Sequence, residues 1–134
     1  MPILPIDGGR YGTKEMREIF DDQKKIQYQL EIEATAAESQ SEIGMIPKAV
    51  AKNIAKMARS GKITTKRVKQ LEAKSDHDTA ALVEALSEIC TPNAKPWIHY
   101  GLTSNDLVDT STSMHIKDAL AIIEIGRASC RERV

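Results

Sequence analysis

The sequence is poor in aromatic residues, cysteine and net charge, and each shortage excludes a class of protein. Phe, Tyr and Trp make up 4% of 134 residues, so any interior is chiefly aliphatic. The two cysteines, Cys90 and Cys130, stand far apart with no paired spacing. That excludes a disulfide scaffold and a cysteine zinc site, and it fits a reducing cytoplasm. Lys and Arg number 19 and so do Asp and Glu, for a net charge of zero. Without basic excess the chain is expected to bind neither nucleic acid nor an anionic membrane surface. No apolar run approaches the ~20 residues of a membrane span. The start, MPILPIDGG, lacks the basic stretch and long apolar run of a signal peptide.

Motifs with well-defined chemistry are missing as well. There is no G-x-x-x-x-G-K-[ST] phosphate loop, no G-x-S-x-G nucleophile elbow and no H-E-x-x-H zinc helix. The three histidines are His77, His99 and His115. The His77-Asp78 pair invites a metal phosphohydrolase reading, but that chemistry needs an earlier histidine and none precedes His77. No metal site is expected.

What is present is helical periodicity. Thr13 is suited to cap a long helix carrying Met16, Ile19, Phe20, Ile26, Leu30, Ala34 and Ala37, stopped by Gly44 and Pro47. Pro47 fits the first turn of a second helix with Val50, Ile54, Met57 and Ala58 inward, closed by Gly61. Thr64 or Thr65 starts a short helix with Val68 and Leu71. Ser75 or Asp76 is expected to cap another, with Leu82, Val83, Leu86 and Ile89 inward. A loop from Thr91 to about Leu102 follows. Thr103 or Ser104 then caps a last helix with Leu107, Val108, Met114, Leu120 and Ile123. No alternating strand pattern appears, so the fold class is all-α. The last helix is long for so short a chain, and its stripe is expected to face water unless partners from elsewhere cover it.

Three constellations carry chemistry, each with a plainer reading beside it. Asp76-His77-Asp78 sits at a helix start. Flanking carboxylates favour an imidazolium that could serve an anionic substrate, or the acids merely cap the helix. In Trp97-Ile98-His99-Tyr100-Gly101-Leu102-Thr103-Ser104-Asn105-Asp106, two hydroxyls precede a helix whose free N–H groups attract anions, or one of them is an ordinary N-cap. In Gly8-Gly9-Arg10-Tyr11-Gly12, an arginine beside a tyrosine could clamp a phosphate, or it belongs to an incidental terminal segment.

Four stretches together resemble the N-terminal part of the adenylosuccinate lyases, in the fumarase/aspartase superfamily. They are RYGTKEM, LEIEATAAESQSEIGMIP, DHDTAALVEALSE and KPWIHYGLTSNDLVDTSTSMHIKDAL. The resemblance spans residues 4–124, and HYGLTSNDLVDT is its most specific part. The RYGT-x-EM stretch and the Ile-Pro turn are shared with carboxymuconate cycloisomerases. The resemblance implies β-elimination of adenylosuccinate, and of the succinylated carboxamide ribotide, to release fumarate in purine synthesis. It implies that Arg10 and Tyr11 contact the nucleotide phosphate, and that His77 and Asp78 contact substrate, with His77 supporting the acid side of catalysis. Thr103 and Ser104 would hold the succinyl portion, and His99 would orient their loop. The family usually has a basic residue or histidine before His77. Here Asp76 stands there, so it is left out of the expected site.

The same resemblance puts the general acid and base in a later central domain. Residues 1–102 would form the N-terminal domain and 103–124 the start of a central-bundle helix in a homotetramer. The string IGRASCRERV from Ile125 resembles the in-frame translation of a sequencing-library adapter, so 125–134 is expected to be a non-native tail. The resemblance implies a small purine nucleotide as partner, a cytoplasmic setting and no cofactor. The alternatives are a non-catalytic helical interaction module, from the apolar stripes, and, within the resemblance, another member of the superfamily such as a carboxymuconate cycloisomerase.

Overall fold

The computed structural model describes residues 12–131, with side chains through residue 126. Among these the chain is all-α: α1 (Lys14–Ile19), α2 (Asp22–Glu42), α3 (Lys48–Ala58), α4 (Thr65–Ser75), α5 (Asp78–Ile89), a single 3-10 turn (Lys95–Trp97) and α6 (Ser104–Arg131). No helix is long and apolar enough to cross a membrane among the described residues.

The centre of the fold is α2. It packs against α3 on one side and α6 on another, and it touches α1 and α4 near its start. Its buried residues, Ile26, Tyr28, Gln29, Leu30, Glu33, Ala34, Ala37 and Ser41, cover a broad arc because neighbours lie on more than one side. Short side chains let α3 come close: Ala34 and Ala37 of α2, and Ala51, Ala55 and Ala58 of α3, are all buried. The turn between them depends on Gly44, at φ +78°, a conformation that costs a residue with a side chain. Pro47 is the N-cap of α3, one position before the first turn that the sequence suggests. The α4–α5 hairpin completes the core with Leu71, Leu82 and Leu86, each at most 1% exposed. Cys90 is buried at its end, and that burial pushes the thiol up to about 11.

Two predicted features differ. The sequence suggests one helix from Thr13 to Gly44, but the chain breaks at Phe20. Thr13 caps α1 as expected, its hydroxyl accepting the Met16 N–H at 3.3 Å. Asp21 then starts α2 afresh by accepting the Gln23 N–H at 2.7 Å. An aspartate that offers its carboxylate to nearby backbone favours a helix start over a helix interior. Phe20, expected inward, is half exposed and stacks on His115 of α6, with ring centroids 5.7 Å apart.

The second difference is the face of α6 that meets water. Leu107 is fully buried, and Val108 and Met114 are half-buried beneath the neighbouring helices. Only Leu120 and Ile123 of the predicted stripe stay open, joined by Ile116, all at 50–57% exposure. The first part of α6 is therefore covered by its own chain. Helical backbone also continues past Gly126 to Arg131, where the sequence suggests a break.

One surface clamp ties the end of α3 to α2. Arg59 donates to both Glu31 and Glu38, at 2.7–2.9 Å. Its hydrogen bonds hold both carboxyls below the usual carboxylate range and hold the guanidinium above its own. Carboxyls depressed in the folded state contribute stability above their unfolded pKa, and that contribution is lost as pH falls through the folded value. Arg59→Met is expected to flatten the acid side of the stability profile, measured by urea unfolding across the carboxylate range. In the core, Ile54→Ala is expected to cost ~2–5 kcal/mol, read as a lower urea midpoint with unchanged slope.

Candidate functional site

Hydrogen bonds from α2 hold the loop leading into α6. His99 has φ +60° and Gly101 has φ +71°, both in the left-handed region. A histidine there is held against its own preference and needs compensation. Glu33 of α2 supplies it. That carboxylate is 2% exposed, and it accepts the His99 backbone N–H at 3.0 Å on Oε2 and faces His99 Nδ1 at 2.6 Å on Oε1. A carboxylate only accepts, so Nδ1 carries the proton. Seven residues on, on the same face of α2, Gln40 Nε2 donates to the Tyr100 carbonyl at 2.6 Å. The Trp97 and Tyr100 rings meet edge to face at 5.2 Å on the outside of the loop.

The loop delivers Thr103 and Ser104 to the start of α6. Asp106 reaches back to accept the Thr103 N–H at 2.7 Å, which is the acid half of a capping box. No hydrogen bond to another described residue engages either hydroxyl. Thr103 is exposed and Ser104 half-exposed. Both are therefore presented at a helix N-terminus where free backbone N–H groups and the helix dipole favour a negative ligand group.

The imidazole turn is built differently. A two-residue link, Asp76-His77, joins α4 to α5. Asp76 closes α4 at φ +52°, and aspartate tolerates this left-handed geometry better than most residues. The left-handed geometry is compatible with the aspartate found where the resembled family usually has a basic residue or histidine. The helix cap is neither Ser75 nor Asp76, as the sequence suggests, but His77 itself. Its Nδ1 accepts the Ala80 N–H at 3.3 Å. Asp78 Oδ1 accepts the Thr79 N–H at 2.7 Å, and its Oδ2 lies 3.6 Å from Lys25 Nζ of α2. Burial pushes the Asp78 carboxyl up, but the Thr79 hydrogen bond and the Lys25 charge outweigh it and leave the group below its ordinary value. The hairpin is docked by Gln23, which donates to the Ile63 carbonyl at 3.0 Å and accepts the Thr65 N–H at 2.8 Å.

Within one chain these two groups of residues are not brought together. His77 and Asp78 adjoin α2 at Lys25, and the Thr103–Ser104 loop adjoins it at Gln40. Fifteen residues of helix separate the two anchors, about 22 Å at ~1.5 Å per residue. Arg10 and Tyr11 lie outside the described residues. A groove of about 470 Å³ lies between α1, α2 and α6, with Glu15, Glu18 and Asp118 beside Lys24. It contains none of the predicted site residues, and its acidic rim disfavours an anion. Among the described residues no cluster of three or more His, Cys, Asp or Glu side chains could hold a metal ion.

Sequence reasoning missed Glu33, Gln40, Gln23 and Lys25, the side chains of α2 that hold both functional turns. Glu33 had a signal, because a charge falls at the apolar spacing of Leu30, Ala34 and Ala37. Glu33→Ala leaves the His99 N–H and Nδ1–H without partners. It is expected to cost about 2–3 kcal/mol and to abolish hydrogen-exchange protection at the His99 amide. Glu33→Gln, whose amide oxygen still accepts one bond, is expected to retain part of that protection.

Residues 9–126 match the family described as Lyase. Among curated relatives, the adenylosuccinate lyase of Methanocaldococcus jannaschii is 44% identical over 124 residues, covering 92% of this chain and 27% of that protein. The adenylosuccinate lyase of Pyrococcus horikoshii is 43% identical over the same shares. The chain thus spans about a quarter of the length of the curated relatives it matches. Among solved structures, the β-carboxy-cis,cis-muconate cycloisomerase of Acinetobacter calcoaceticus sp. ADP1 has a TM-score of 0.85 at 26% identity, covering 95% of this chain and 31% of that one. The fumarate lyase of Mesorhizobium sp. BNC1 has a TM-score of 0.75 at 32% identity, covering 84% of this chain and 27% of that one. With its helices in the arrangement of these neighbours and most of its length inside the family match, the chain belongs to the lyase family of the fumarase/aspartase superfamily.

Proposed function

We propose that this chain is the N-terminal segment of an adenylosuccinate lyase, the enzyme that splits adenylosuccinate into AMP and fumarate and acts likewise on the succinylated carboxamide ribotide. The observation that carries this reading is the 38–44% identity to adenylosuccinate lyases along nearly the whole chain. The reaction is a β-elimination. A base takes the proton from the carbon next to a carboxylate, the C–N bond breaks, and an acid protonates the departing nitrogen. Fumarate leaves with its two carboxylates intact.

The residues of this segment bind and orient. Thr103 and Ser104 offer unengaged hydroxyls at the α6 N-terminus, suited to a succinyl carboxylate. His77 and Asp78 make a second contact, and Arg10 with Tyr11 suits a phosphate. The proton-transferring acid and base come from the remaining part of the protein. The separation of the His77 and Ser104 anchors along α2 supports a site completed by neighbouring subunits, as in a homotetramer with α6 in a central bundle. The open stripe Ile116, Leu120 and Ile123 supports the same assembly. Residues 1–102 are then the N-terminal domain and 103–124 the start of the bundle. The family match ends at residue 126, so residues 127–134, most of the stretch 125–134 read as a non-native tail, lie outside it.

A cycloisomerase is the second reading, favoured by the 0.85 TM-score to one such enzyme. Assaying the longer protein that carries this segment for fumarate release from adenylosuccinate decides between the two. His77→Ala and Ser104→Ala are each expected to lower its turnover about a hundredfold or more while circular dichroism stays unchanged. Normal turnover in both variants would reduce His77 to a helix cap and leave Ser104 without a role in the site. The 134-residue chain alone is expected to release no fumarate.

A further inference from the structure

His77 has two ring nitrogens, and the fold has already committed one of them. Nδ1 accepts the Ala80 N–H and so takes the N-cap place usually filled by Ser, Thr, Asp or Asn. A ring nitrogen accepts only when it bears no proton, so the proton of the neutral ring sits on Nε2. The neighbouring carboxylate does not compete for Nδ1. Asp78 Oδ1 is 3.9 Å away, beyond hydrogen-bond reach, and it already accepts from Thr79. Its other oxygen faces Lys25. The charged neighbours are Asp78 of α5, whose Oδ1 lies 3.9 Å from Nδ1, and Lys25 of α2, which faces Asp78, with Asp76 adjacent in sequence at the end of α4. The imidazole is about half exposed, leaving Nε2 open to a ligand.

We propose that His77 serves its ligand as a neutral Nε2–H donor, its Nδ1 spent on the α5 cap, so that it grips an anionic oxygen and relays no proton. Protonating the ring fills Nδ1 and releases the cap, so the charge on His77 and the order of the first turn of α5 are coupled. This replaces the expectation that flanking carboxylates make His77 an imidazolium that assists the acid step. It rests on the lyase reading only for the identity of the anion, which is a substrate phosphate or carboxylate. The tautomer and the coupling belong to the chain itself.

The test is NMR on the ¹⁵N-labelled chain from about pH 8 to about pH 5, the range in which imidazoles titrate. The ring nitrogen shifts of neutral His77 are expected to show the Nε2–H form alone. Exchange at the Ala80 amide, corrected for its intrinsic pH dependence, is expected to speed up about fivefold on acidification, the equivalent of losing a cap worth ~1 kcal/mol. His77→Asn, a cap that does not titrate, is expected to keep Ala80 protected at every pH. His77→Ala is expected to lose that protection at every pH. A mixture of tautomers, an Ala80 amide indifferent to pH in the native chain, or an amide unprotected throughout would each overturn the proposal. A failed fumarate assay leaves these results standing. A failed NMR result leaves the lyase assignment standing and removes only the donor role.

Discussion

A single buried carboxylate governs the geometry of the α6 entrance. Glu33 lies in the middle of α2, almost wholly removed from water. Burying an ion is costly unless its oxygens are satisfied, and here both are satisfied by one residue, His99. The two hydrogen bonds between Glu33 and His99 offset both the strain of the left-handed histidine and the cost of the buried charge, so neither feature is stable without its partner. Thr103 and Ser104 take their positions from that arrangement, because only a short stretch of chain separates them from His99.

The same helix holds the second functional turn, by weaker and more exposed contacts. Lys25 meets Asp78 at the surface, and Gln23 ties the start of the α4–α5 hairpin. α2 thus acts as a rigid spacer between the two candidate site turns, and its length fixes their separation. In the proposed homotetramer such spacing would let turns from different copies meet at a common point. Anchoring both turns to side chains of one helix keeps the separation insensitive to local motion.

Much of the helical layout was legible in the sequence, because apolar spacing and capping residues are local signals. Thr13, Gly44, Gly61 and Thr64 punctuate the chain as their chemistry suggests. The break at Phe20 was less legible, since Asp21 and Asp22 read equally well as the polar face of a continuing helix. Capping at 75–78 was foreseen in kind but given to the wrong residue: three polar side chains compete there, and the left-handed turn at Asp76 decides for His77. The candidate site residues could be named from their stretches. What holds them could not, because Glu33 and Gln40 act across 66 and 60 residues of chain and their partners appear only once α2 and the α6 loop are packed together.

The position of Trp97 has a practical side. It is the sole tryptophan of the sequence, half-buried and packed against Tyr100 within the segment that leads into α6. Intrinsic fluorescence excited at the indole therefore originates beside the paired hydroxyls. The molecule carries a built-in optical gauge of that entrance, and shifts in emission wavelength or quenching would follow its hydration without any added dye.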